Sequence, residues 1–358
     1  VWAAWTDGSI CCARHISYDG QTLGPIVTVS DPNAQICFGH IVTDDDNNMI
    51  MAYYSSTGYF LWPDRTIYAC KYDVNGEPVW DNHIQIMNAY EMNFARDLNL
   101  VADGLGGGYV SCYVPMLNDL HQVIVFHFDA NGMVSTPLSG VRVSTNDIVN
   151  NYNEDLTVDP TNNNLIISFV SSTSNETQFQ IRVQSVDVNG NKLWGDVGKT
   201  LTSLAANGIF DVQVSSVSTG GAIITYNEND NIKAIRIDEQ GQEVWDEVAI
   251  LSSSSSNKSS SDFTTGVNNG QIIVPWIKED YTVKAQNMKL DGTIGPVEIN
   301  DPIVGDANED GVVDVTDIQS VIAYILETGN QINIENADAN DDDTIDVLDI
   351  MLIVNIIF

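Results

Sequence analysis

Basic side chains are scarce in this sequence: 358 residues carry 14 Lys and Arg against 49 Asp and Glu, a formal charge of −35. Phosphate backbones are bound by clustered Lys and Arg that release counterions, so nucleic acid is excluded as a partner. An anionic membrane surface is disfavoured for the same reason. No apolar run is long enough to span a bilayer; the longest, Ile350 to Phe358, is interrupted by Asn355. Cysteines number five, at 11, 12, 37, 70 and 112, without a C-x-x-C pair. They read as buried small side chains on strands, with a disulfide as the alternative in a secreted chain. Histidine is absent beyond His127, and His15, His40, His83, His121 and His127 make no H-E-x-x-H spacing. There is no Gly-x-Ser-x-Gly elbow and no phosphate-cradling loop; Gly104 to Gly108 reads as a turn between strands. No signal peptide is visible, because Val1 opens in what reads as a strand, and the chain reads as a mature or trimmed fragment.

What is present is a core's worth of apolar residues, 43% of the chain, so the acidity does not signal disorder. The acid is uneven. Residues 301–358 hold 14 Asp and Glu and no Lys or Arg, leaving −21 on residues 1–300. A charge run of that kind is ordinarily a solvated tail, yet this one is rich in Ile, Val and Leu, which predicts that something neutralises it and lets it fold.

Residues 1–300 repeat themselves. Tight turns recur with glycines at 20, 76, 132, 190, 241 and 292, four of them in the form Asp-x-x-Gly at Asp73, Asp129, Asp187 and Asp238. Successive glycines are 56, 56, 58, 51 and 51 residues apart. Alternating segments such as 66–72, 180–186 and 231–237 precede the turns, and further apolar strands lie upstream at 49–54, 109–114, 165–170, 222–226 and 272–276. A fourth strand precedes these, as at 97–102, 155–159 and 211–216. Units of about 50 residues with four short antiparallel strands close radially into a β-propeller, whereas a β-sandwich would not explain one hairpin recurring six times. The fold class is therefore mainly β: a propeller of six units over 1–300, the first lacking its opening strand, with Ser252 to Ser261 as a loop between the fifth and sixth. Four residues after the glycine come Trp80, Trp194 and Trp245 in three units, on the second strand of the hairpin. This hairpin resembles the repeats of quinoprotein-like propellers, which implies that Trp80, Trp194 and Trp245 dock against the neighbouring blade. It departs from the sialidase Asp-box, whose Gly and Trp stand closer to the Asp.

The last 58 residues read differently. Asp306, Asn308, Asp310, Asp314 and Asp317 fall at positions 1, 3, 5, 9 and 12 of a loop with Gly311 at 6; the pattern returns as Asp338, Asn340, Asp342, Asp346 and Asp349, with Asp343 at 6. A hard cation wanting six to eight oxygens needs this alternation, and the sixth residue makes the sharp turn round it. No helix is expected before either loop, and one amphipathic helix is expected after each, over 315–326 and 347–357. Two such loop–helix units resemble a type I dockerin domain over residues 304–358. The resemblance implies a small all-α domain over 301–358 and two calcium ions, held by the ten side chains above with the carbonyls of Val312 and Thr344. It also implies docking onto a cohesin module of an extracellular scaffold protein, often through a Ser-Thr-like pair at positions 10 and 11. Here those positions are Val315-Thr316 and Val347-Leu348, so an intramolecular or unconventional partner stays open beside a cohesin-like one.

Asp97, Asp155 and Asp211 sit at corresponding points of the innermost strands, where a ring of carboxylates would face the channel and bind a cation or sugar hydroxyls. No catalytic residue can be named. Two readings follow: a secreted or cell-surface propeller that binds a glycan or protein and carries a calcium-dependent docking module, or a carbohydrate-active hydrolase or lyase. The second rests on the company dockerin modules keep. A redox quinoprotein is a third reading, supported by the Trp repeat alone.

Overall fold

The computed structural model describes residues 1–358 except 8–9, 18, 31–34, 60–61, 89, 92–97, 116–119, 207, 254–257, 260–265, 269, 279–280, 296–303, 309–311, 327, 329–331, 341, 343 and 358. The chain divides into two compact units, Val1–Pro296 and Val297–Phe358.

The first unit is six small sheets in chain order. Sheet one holds β1 (Trp2–Asp7), β2 (Ile10–Ile16) and β3 (Thr22–Val29). Sheet two holds β4 (Gln35–Thr43), β5 (Met49–Tyr59), β6 (Trp62–Tyr72), β7 (Ile84–Gln85) and β8 (Tyr90–Glu91). Sheet three is β9 (Asn99–Ala102), β10 (Gly108–Pro115), β11 (His121–Phe128) and β12 (Val141–Arg142). Sheet four is β13 (Val149–Val158), β14 (Leu165–Thr173), β15 (Phe179–Val186) and β16 (Lys199–Thr200). Sheet five is β17 (Ile209–Ser216), β18 (Ala222–Glu228), β19 (Asn231–Ile237) and β20 (Ala249–Ser252). In sheet six, β21 (Lys258–Ser259) and β22 (Gly266–Asn268) pair with one edge of β23 (Gln271–Lys278), and β24 (Val283–Lys289) with the other. These are the blades of a β-propeller, antiparallel sheets with consecutive ones packed together; sheets three, four and five are four-stranded meanders. Sheet one has three strands, corresponding to the second, third and fourth of the other blades.

Packing follows from alternation along strands buried on both faces. In β5, Met49, Met51 and Tyr53 face Cys11, Ala13 and Val27 of the preceding sheet, while Ile50, Ala52 and Tyr54 face Leu100, Val110 and Cys112 of the following one. The same division recurs along β10, β14 and β18, so the core is a series of layers between blades. Cys11, Cys70 and Cys112 lie in these layers and Cys12 is buried as well, none of the four in a disulfide; the side chain of Cys37 lies outside the described residues.

The repeated Asp of the turn has a specific structural use. Asp73 Oδ1 accepts the amides of Asn75 (2.9 Å) and Glu77 (2.8 Å), and Asp129, Asp187 and Asp238 accept the amides two and four residues on at the same distances. A carboxylate serving two backbone donors fixes the turn, which accounts for part of the acidity of this unit. Two expectations change. The tryptophans do not lie on a strand: after a single bridge (Tyr72↔Pro78, Val186↔Lys192, Ile237↔Glu243) the chain bends at the Trp and pairs again only at the short outer strand. The serine-rich stretch includes β21, with 254–257 and 260–261 outside the described residues.

The second unit has α1 (Val315–Ile325), α2 (Ile334–Ala337) and α3 (Val347–Ile357). Ala307, Val321, Ala337 and Ile353 form its core, with Ile318, Ile325, Ile350 and Ile357 packed against them at helical spacing. The short α2, capped by the Asn333 side chain, directly precedes the second acidic loop, where no helix was expected.

Candidate functional site

The two acidic loops have one geometry. In the first, Asp317 is fully buried; its Oδ1 accepts the Asn308 amide (3.1 Å) and its Oδ2 the Asp314 amide (2.8 Å). In the second, Asp349, also fully buried, accepts Asn340 N (3.3 Å) and Asp346 N (2.8 Å). The twelfth position thus ties the third and ninth together and starts the helix. Asp314 is the N-cap of α1, accepting Thr316 N (2.7 Å) and Thr316 Oγ1 (2.6 Å), and Asp346 accepts Leu348 N (2.7 Å) at the start of α3. These bonds to Thr316 hold the Asp314 carboxyl below the usual carboxylate range. Asp338 Oδ1 and Asn340 Oδ1 both accept Asp342 N (3.1 and 3.0 Å), and Asp342 Oδ1 accepts Thr344 N (3.0 Å).

A hard divalent cation fits this donor set. Asp306, Asp317 and Asp349 are buried in a segment that contains no Lys or Arg, and a buried carboxylate needs a positive partner. All ten side-chain donors carry oxygen. Among the described residues no three His, Cys, Asp or Glu side chains already converge as a metal cage, and Asp310 lies outside them.

In the first unit two of the three carboxylates expected to form a ring, Asp155 and Asp211, do not share a position. Both innermost strands carry a bulge, between Tyr152 and Asp155 in β13 and between Phe210 and Gln213 in β17. Asp155 pairs with Ser168 and Gln213 with Thr225, so Asp155 corresponds to Gln213; Asp211 sits in the bulge, at φ 51°, where β13 has Asn153, also at 51°. Asp97 lies outside the described residues. The post-bulge position instead joins blades: Asp155 Oδ2 accepts Val214 N of β17 (2.8 Å), and Asn99, its counterpart in β9, donates Nδ2 to Glu154 O of β13 (2.8 Å). Burial pushes the Asp155 carboxyl up to about 6 despite that bond.

The tryptophans lie between blades. Trp80 packs on Gly132, Trp194 on Gly241 and Trp245 on Gly292, each the turn glycine of the following unit. Trp80 Nε1 donates to Ala130 O and Trp245 Nε1 to Leu290 O, both at 2.9 Å. A buried ion pair and a buried histidine–carboxylate contact were missed by sequence reasoning. Lys71 Nζ lies 2.7 Å from Asp44 Oδ2 and donates to Gly106 O of the next blade (2.7 Å); His127 Nε2 lies 3.0 Å from Asp103 Oδ2. Their signal was an Asp directly after the innermost strand of units two and three, readable once the repeats are aligned.

Residues 304–358 match the family model of the dockerin type I domain. No curated protein matches the chain. Among solved structures the chain is similar to a PL25 ulvan lyase (10% identity, 81% of this chain and 72% of that one, TM-score 0.47). It is also similar to a protein of unknown function from Dyadobacter fermentans (9%, 78% and 89%, TM-score 0.42) and to a GH43 endo-arabinanase from Bacillus licheniformis (14%, 75% and 99%, TM-score 0.33). Likenesses this distant assign no activity.

Proposed function

We propose that the chain is an extracellular or cell-surface component of a polysaccharide-degrading system, in which the propeller binds a glycan or protein ligand and residues 304–358 dock onto a cohesin-like partner under calcium control. The observation that carries this reading is the dockerin match over two loops whose twelfth carboxylates are buried without a basic residue in the segment. One calcium ion is assigned to Asp306, Asn308, Asp310, Asp314 and Asp317 with the Val312 carbonyl, and the other to Asp338, Asn340, Asp342, Asp346 and Asp349 with the Thr344 carbonyl. Binding draws the outer carboxylates inward from their turn-capping bonds and offsets four of the 14 negative charges of residues 301–358.

The partner-facing surface is assigned to α3, where Val347, Leu348 and Met351 are each more than half exposed. Apolar side chains at positions 10 and 11 favour an apolar docking strip over one that hydrogen-bonds hydroxyls. The test is binding of the full chain to immobilised cohesin modules, with calcium and with chelator, alongside a glycan array. Calcium-dependent retention that Leu348→Asp removes supports the reading, and retention indifferent to calcium sinks it.

A hydrolase or lyase is the second reading. Asp155, raised to about 6, is in the range of a general acid near neutral pH, although its carboxyl also joins two blades. Release of reducing ends from polysaccharide, abolished by Asp155→Asn, would decide for it.

A further inference from the structure

Aligned on their turn glycines, the six units carry His15, Lys71, His127, Ser185, Arg236 and Asn287 at the fifth residue before the glycine. Units two, three and four also place an Asp directly after the last paired residue of the innermost strand: Asp44 after Thr43, Asp103 after Ala102, Asp159 after Val158. In units two and three these positions meet as the buried pairs Lys71–Asp44 and His127–Asp103. In unit four the acid is kept and the base is replaced by Ser185.

Asp159 is 1% exposed. It accepts Thr161 N (2.9 Å), Thr161 Oγ1 (2.6 Å) and Gly221 N of the next blade (3.1 Å), which leaves about one of a carboxylate's four acceptor positions. Among the described residues no Lys, Arg or His lies within ion-pair distance of it. A cavity of about 570 Å³ is lined by both Asp159 and Ser185, with Trp194, Lys199, Glu239, four Asn and Gln residues and the apolar Ile166 and Leu193. Lys199 is not ion-paired with either acid, and Glu239 adds a second negative charge to the wall.

We infer that this cavity binds a ligand through a primary ammonium group, seated on Asp159 as the Lys71 ammonium is seated on Asp44. The amide-rich lining with one indole suits a hydroxylated body, so the ligand class is a sugar bearing a free amine. The sugar body rests on the glycan-binding reading above; the ammonium site does not.

Calorimetric titration of the full chain near neutral pH tests this with three probes: D-glucosamine, N-acetyl-D-glucosamine and methylammonium. D-glucosamine binds, N-acetyl-D-glucosamine binds about tenfold more weakly or not at all, and methylammonium competes. Ser185→Lys supplies a tethered ammonium, so it abolishes glucosamine binding while raising Tm. Asp159→Asn also abolishes binding; should it unfold the chain, Ser185→Lys still decides. Equal affinity for the two sugars, or glucosamine binding that survives Ser185→Lys, overturns the inference. Silence towards glucosamine in a protein that retains a neutral polysaccharide overturns the site and leaves the glycan reading standing. Methylammonium binding without any glycan binding overturns the sugar assignment and the glycan reading together.

Discussion

The indole of Trp194 lies so close over Gly241 that a Cβ there would fall 2.9 Å from its Cδ2. The two residues belong to consecutive blades. Trp80 with Gly132 and Trp245 with Gly292 repeat the contact at 3.2 Å. Where the Trp is missing, a smaller group takes its place, Pro25 beside Gly76 and Thr136 beside Gly190. The glycine serves twice, adopting a positive φ (71° at Gly241) and leaving room for the ring. One turn thus couples each hairpin to its predecessor, and the 51 to 58-residue period sets which Trp meets which glycine.

Gly241→Ala therefore meets both a backbone and a packing penalty, and the expected loss is about 2–4 kcal/mol. Gly20→Ala is the control, since Gly20 has φ 83° but nothing within 4 Å of an added Cβ, and its expected loss is about 1–2 kcal/mol. Urea unfolding of both variants checks the difference; equal losses would mean that the indole contact contributes nothing.

Lys71 and Asp44 are both buried, so removing the ammonium strands a carboxylate inside the protein. Burial opposes ionisation of Asp44, yet the bonds from Lys71 and Asn48 hold its carboxyl below the ordinary range. Lys71→Met should cost about 3–5 kcal/mol near neutral pH. Because the folded pKa is depressed, the stability contributed by Asp44 is present above the unfolded value and is lost as pH falls through the folded one. The gap between wild type and Lys71→Met should therefore shrink in acid, which denaturant titrations at two pH values measure.

Much of this was legible in the residues. The glycine period exposed the blades, and apolar spacing placed α1 and α3 to within a residue of their ends. What escaped depends on register. β13 and β17 carry the same bulge, and Asp211 falls inside it whereas Asp155 follows it, a two-residue difference that only the strand pairing reveals. The Lys71–Asp44 and His127–Asp103 pairs join a strand residue to one more than 20 positions away, directly after a non-adjacent strand, and only strand pairing brings them together. The tryptophans were placed on a strand because their spacing suited one. Instead, the chain bends there to seat the indole on the next blade.

Asp155 should give the opposite pH dependence from Asp44. Burial raises its carboxyl to about 6, so between about pH 4 and 6 the folded protein holds a proton that the unfolded chain releases. The stabilisation from that proton is fully present below pH 4 and is lost as pH rises through 6. Asp155→Asn keeps an acceptor for Val214 N without the buried charge, so it should stabilise by about 1–3 kcal/mol near neutral pH. Near pH 4 the gain should vanish. A gain independent of pH in denaturant titrations would show that the charge is not its source.

Calcium should decide whether residues 304–358 fold at all. Their core is small, four buried residues ringed by partly buried ones, and a domain of this size holds little stability in reserve. Against it stand 13 acids and no base, with Asp306, Asp317 and Asp349 buried among them. Chelation should therefore melt α1 and α3 together, because Asp317 and Asp349 fasten each loop to the start of its helix. The propeller has its own layered core and should keep its transition. Asp349→Ala should reproduce much of the loss with calcium present. Circular dichroism near 222 nm and limited proteolysis, with and without chelator, measure both. Helical signal and protease resistance unchanged in chelator would overturn the link between calcium and folding.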